Sequence, residues 1–150
     1  MQVPRRLIGF ITIVQSVLFL THFVLYETWT FSPTEGASYD GFWIKLFLGF
    51  LSVSFVAASV LAFRYTNAVV RAFYRAAAVW LGLLTFFFLA AVSSWIVFGV
   101  ARLAGISLNF HLLVEVLFAA AAVVGFYGVF NAGWTRITRT TVQLANLPEA

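Results

Sequence analysis

Residues 76–100 read AAAVWLGLLTFFFLAAVSSWIVFGV, a run with no charged side chain and no proline. A helix needs roughly 20 apolar residues to cross about 30 Å of hydrocarbon, and this run exceeds that. Hydrocarbon offers no partner for a free backbone N–H or C=O, so a single chain crosses it as a helix. Three more segments of the same kind flank it: Leu7–Tyr26, Phe42–Phe63 and Leu112–Phe130. Inside the four, the only formal charges are Lys45, near the start of the second, and Glu115, near the start of the fourth. The fold class expected is all-α integral membrane, with four transmembrane helices in an up-down bundle over residues 1–132.

The composition leads to the same solvent. Of 150 residues 63% are hydrophobic and 9% charged, against about 45–50% and about 25% in ordinary soluble chains. The mean hydropathy is +0.99. The first segment follows Arg5 and Arg6 as a signal peptide would, but its apolar run is longer than an h-region of about 7–15 residues and no A-x-A site follows. It reads as a retained anchor.

Orientation comes from arginine placement. Arg5 and Arg6 precede the first span, Arg64, Arg71 and Arg75 lie between the second and third, and Arg136 and Arg139 follow the fourth. Alternating spans put all of these on one side, leaving Glu27, Glu35, Asp40, Lys45 and Arg102 for the other. By the positive-inside rule the arginine side is cytoplasmic. The expected location is the cell inner (cytoplasmic) membrane, multi-pass, with both termini cytoplasmic. Trp29, Trp43, Tyr74, Trp80 and Trp134 fall near span ends, as interfacial aromatics do. The net charge of +4 then points to lipid headgroups, and not to nucleic acid. Arg64, Arg71 and Arg75 form a basic loop that could continue helically, and anionic lipid is a plausible partner for it.

Little here can do chemistry. There is no Cys, so thiolate metal sites and cysteine nucleophiles are excluded. One Asp (Asp40) and two His (His22, His111) leave almost nothing for a catalytic site, and no catalytic, cofactor or metal-binding residue is assigned. Small and mildly polar residues mark helix contact faces in lipid. Thr12, Gln15, Ser16 and His22 fall on one arc of span one, Gly82, Thr85 and Ser93 on one of span three, and Glu115, Ala119 and Ala122 on one of span four. These are read as stripes facing the bundle interior.

An intramembrane carboxylate is costly and needs a partner. Glu115, Lys45, His22 and His111 are placed at similar depth near the outer boundary, as one polar cluster. The ordinary reading is an ion pair of Glu115 with Lys45 or Arg102. The rarer ones are a His111–Glu115 metal pair completed by His22, or haem ligated by both histidines.

Beyond Phe130 the character changes. TRITRTTVQL (135–144) is β-branched, too polar to span, and reads as a strand. A lone strand is not stable, so residues 133–150 are expected to open a cytoplasmic domain absent from the chain, or else to form a tail. The motifs YGVFNA (127–132), RITR (136–139), VQL (142–144) and NLPEA (146–150) resemble the junction in bacterial membrane-anchored metallophosphoesterases of the calcineurin-like class. There, a last transmembrane helix leads through a first strand and a Leu-Pro turn into the catalytic sandwich. Arg64–Leu103, with its arginines and a Trp80-Leu-Gly82 turn, looks like the preceding part, so the resemblance covers about half the chain. It implies a hydrolase that binds two divalent metals through Asp, His and Asn, and that cleaves phosphate esters with a metal-activated water. None of those motifs lies in these residues, and none of the family's catalytic residues is carried over. The chain would be the anchor that holds such a domain at the membrane surface, near phospholipid-type phosphoesters. The alternative is a stand-alone, non-enzymatic four-helix membrane protein, an assembly or lipid-interaction module.

Overall fold

A computed structural model of the protein describes residues 5–31 and 41–134, with side chains from residue 8 onward. It contains four helices: α1 (Arg5–Thr30), α2 (Phe42–Arg64), α3 (Ala68–Leu103) and α4 (Phe110–Ala132). Each is long and apolar enough to cross a membrane. The chain is an all-α integral membrane bundle, as the hydropathy predicts. The strand expected over residues 135–144, and most of the junction pattern around it, lie outside the described residues.

The helices begin and end where local chemistry dictates. Asn67 caps α3 by accepting the Val70 N–H at 2.8 Å, and Asn109 caps α4 by accepting that of Leu112 at 3.3 Å. Such caps are worth about 1 kcal/mol each. α3 ends in a Schellman turn: Gly105 takes φ +73°, its N–H donates to the Arg102 carbonyl, and Ile106 N–H donates to that of Ala101. Only glycine enters that left-handed conformation without strain.

Two boundaries differ from the sequence expectation. α1 runs on through Glu27 to Thr30, and α3 starts at Ala68, two turns before the apolar run. Its 36 residues span about 54 Å at 1.5 Å per residue, well beyond the hydrocarbon thickness. Arg71 and Arg75 are therefore helical, as the basic loop allowed. Trp80-Leu-Gly82 is not a turn but lies within α3.

Helices consecutive in the chain run antiparallel, whereas α1 and α3 run parallel, and these two each pack on all the others. α1 packs chiefly on α2 and α3, while α2 and α4 share no contact. The bundle is thus not a square of four equal neighbours. It has an open side between α2 and α4, floored by α1 and α3.

The outer surface is as apolar as the interior, unlike that of a soluble bundle. Large apolar side chains face outward, among them Phe10, Phe19, Phe50, Leu89 and Val123. The interior combines Leu18, Leu25, Leu48, Leu84, Val114 and Phe118 with small and polar residues, Ala58, Ala91, Ala101, His22, Thr28, Ser52, Ser54 and Ser94. Lipid gives no hydrophobic gain for burying Leu or Phe, so small residues and hydrogen bonds draw the helices together. Gly125 is the tightest approach: a Cβ there would stand 2.7 Å from Leu83 Cδ2. The end away from the arginines is filled by rings. Phe110, 1% exposed, packs against Phe31, Trp95 and Phe98 with centroids 4.9–5.2 Å apart.

Candidate functional site

The polar groups between helices form two indole-centred links from α3 to α1. Trp80 Nε1 donates to His22 Nε2 at 3.0 Å, and His22 Nδ1 lies 2.7 Å from the Leu18 carbonyl oxygen. An indole nitrogen can only donate, so Nε2 must accept, and Nδ1 carries the proton it gives to Leu18. Trp95 Nε1 donates to Thr28 Oγ1 at 3.0 Å, while that hydroxyl donates to the Val24 carbonyl at 2.7 Å. Between α1 and α2, Gln15 Nε2 donates to the Ser52 carbonyl at 3.1 Å. Among the described residues no buried side-chain nitrogen or oxygen lacks a partner.

The metal and haem readings both need a free ring nitrogen on His22. Both nitrogens of His22 are engaged, and no three His, Asp or Glu among the described residues lie together as metal ligands. Nor do the four polar residues form one cluster. His22 is 3% exposed and sits about 12 Å before the end of α1, deeper than its expected place at the boundary. His111 is exposed, edge-on to Phe110 with centroids 6.5 Å apart. Glu115 and Lys45 are both exposed and line different recesses. Among the described residues no ion pair joins Glu115 to Lys45 or Arg102. For Lys45 the reason is architectural, since α2 and α4 do not pack on each other; Arg102 stands on α3, which does pack on α4, and is exposed to the outside.

The inward stripes divide in the same way. Gln15 and His22 meet neighbouring helices, but Thr12, Ser16, Gly82, Thr85 and Ala119 face outward. Thr12 and Thr85 are quenched by the Ile8 and Leu81 carbonyls one turn back, which lets a hydroxyl face lipid without an orphan proton. Small-residue periodicity names a face, not what that face meets. The buried Ser52, Ser54, Ser94 and Thr28 lie outside the predicted stripes, since serine and threonine in an all-apolar helix give no sign of which side they occupy. Trp80, expected at the interface, is instead an interior donor.

Three recesses stand out among the described residues. The first, about 750 Å³, lies in the open side between α2 and α4. Its described walls are Trp29 and Leu25 of α1, Trp43 and Phe47 of α2, Trp80 and Phe87 of α3, and Phe118 of α4, with Glu115 as their one charged group. The second, about 400 Å³ between α1 and α2, holds Glu27 and Lys45 beside Tyr26 and His22. The third, about 330 Å³, lies at the arginine end among Arg71, Arg75, Tyr65, Tyr74 and Thr66, just beyond Arg64.

Fold and site together define an integral membrane helix bundle with a closed internal hydrogen-bond network and one lateral aromatic recess. Comparison with known proteins finds no matching family, no matching characterised protein and no matching solved structure.

Proposed function

We propose that this chain is the membrane-anchoring region of a metal-dependent phosphoesterase, fixing a hydrolase domain to the cytoplasmic face of the membrane. The observation that carries the reading is where α4 ends. α4 packs antiparallel on α3, with Gly125 against Leu83, so the chain leaves the bundle at the end that bears Arg64, Arg71 and Arg75. A domain joined there would lie at the side the positive-inside rule makes cytoplasmic. The recess between Arg71 and Arg75 would rest among anionic headgroups.

The bundle itself supplies location and no chemistry. The two metals that the family resemblance implies do not fit here, because the described residues offer no cluster of acids and histidines to hold them. They would belong wholly to the joined domain. A second reading, the stand-alone lipid-interaction module, draws on the open side between α2 and α4.

The product in native membranes, detected with an antibody to the bundle, discriminates the two. The anchor reading expects a species well above 16.7 kDa whose Mn²⁺-dependent phosphodiesterase activity sediments with membranes. That activity should become soluble when residues 1–132 are deleted. A product of 16.7 kDa without such activity would overturn the reading in favour of the second.

A further inference from the structure

The recess between α2 and α4 joins three properties that a mere packing gap would not combine. Its size, about 750 Å³, is within the range of small-molecule sites, about 300–1,000 Å³. Three of the protein's five tryptophans line it, Trp29, Trp43 and Trp80, together with Phe87 and Phe118. Among the described residues the single charge on its wall is the Glu115 carboxylate, roughly 9 Å along α4 from its Asn109 cap and within an apolar, span-length helix. Among the described residues Glu115 makes no ion pair, and neither Lys45 nor Arg102 lines the recess. A carboxylate at that depth is costly unless a cation meets it.

The geometry points to a binding site for a lipophilic organic monocation, with Glu115 as its counter-ion and the tryptophan and phenylalanine rings as its cage. Aromatic faces attract a diffuse cation through their quadrupole, most strongly where water is excluded, and the lateral opening admits a ligand already dissolved in the bilayer. Trp80 contributes only its ring, because its N–H is held by His22. A two-chain phospholipid is disfavoured even when its headgroup carries an ammonium. Its phosphate would have to lie near Glu115, and no lysine or arginine lines the recess to receive it. A hydrated metal ion is disfavoured by the same wall, which among the described residues offers one carboxylate and no second ligand. The site is independent of any domain joined after α4.

The test is a titration of the purified protein, in a non-ionic detergent, with three probes of nearly one shape and different charge: tetraphenylphosphonium, tetraphenylmethane and tetraphenylborate. Tryptophan fluorescence and calorimetry follow binding. Tetraphenylphosphonium should bind with 1:1 stoichiometry and at least tenfold more tightly than the other two. Glu115→Gln should weaken it by about tenfold or more, Glu115→Asp should retain most of it, and Trp43→Ala should weaken it about threefold to tenfold. Glu27→Gln, in the other recess, should leave it unchanged. Equal binding of phosphonium and borate by the wild-type protein would overturn the proposal, because the recess would then be a neutral apolar gap. So would a folded Glu115→Gln protein, judged by its melting profile, that binds phosphonium as the wild type does.

Discussion

Gly125→Leu will break the contact between α3 and α4, and is expected to be the most damaging single change in the bundle. Even a bare Cβ at Gly125 stands 2.7 Å from Leu83 Cδ2 and 3.5 Å from the Phe86 ring. A methyl could be met by a turn of the flexible Leu83 side chain, but a leucine needs the helices to separate. Forcing extra methylenes into a packed contact costs about 1–3 kcal/mol. In lipid that loss has no hydrophobic compensation, because van der Waals packing is itself the main drive. Gly128 is the internal control. It lies on the same helix with nothing within 4 Å of a Cβ, so Gly128→Leu points into lipid and should leave stability unchanged or slightly raised. Titration of mixed micelles with a denaturing detergent, read by tryptophan fluorescence, should place Gly125→Leu clearly below wild type. Leu83→Ala, which removes the colliding branch, should restore part of the loss. If both glycine variants behave alike, the α3–α4 approach is not as close as described.

The second large effect is at His22. His22→Leu preserves bulk and apolarity but leaves the half-buried Trp80 indole N–H without its acceptor between α1 and α3. An orphaned buried donor costs about 1–3 kcal/mol. Trp80→Phe removes the donor in turn. Made together, the two changes should cost less than the sum of their separate costs, by about 0.5–2 kcal/mol, because the second removes a group already unpaired. His22→Gln, with a carbonyl acceptor of similar reach, should lose less than His22→Leu. Additive losses in the double variant would mean that the bond contributes nothing to the folded state.

The contrast between these two sites says what a sequence can reveal of such a protein. The four spans were plain, because lipid forbids charge over a fixed length and the chain obeys that rule. Their ends were less plain. Hydropathy marks where hydrocarbon ends, whereas a helix ends at a cap, so α3 runs back past Arg75 and Arg71 to Asn67 and α1 continues past Glu27. Which face turns inward was the least legible property. In a soluble bundle the inner face is the apolar one, but here every face is apolar, and the leucines, phenylalanines and small residues that fill the interior also occur outside. Gly125 and Gly82 look equivalent in sequence, yet one is pressed against Leu83 and the other meets nothing. Candidate residues were found more readily than their partners. His22 and Glu115 stood out as rare polar groups in apolar runs. Their company depends on α2 and α4 being apart, and no local pattern encodes that.

The central claim is that this chain crosses the membrane four times, with the arginine end facing the cytoplasm. The absence of cysteine makes it directly measurable. Thr66→Cys places a single thiol in the connection between α2 and α3, and Ser107→Cys places one in that between α3 and α4; both positions are exposed and outside the helices. A membrane-impermeant maleimide is applied to intact cells, or to spheroplasts where an outer membrane intervenes, and then again after permeabilisation. The account predicts that the thiol at 107 reacts in the intact preparation and the thiol at 66 only after permeabilisation. Reaction of both from the same side would contradict four alternating spans, and the reverse pattern would contradict the orientation.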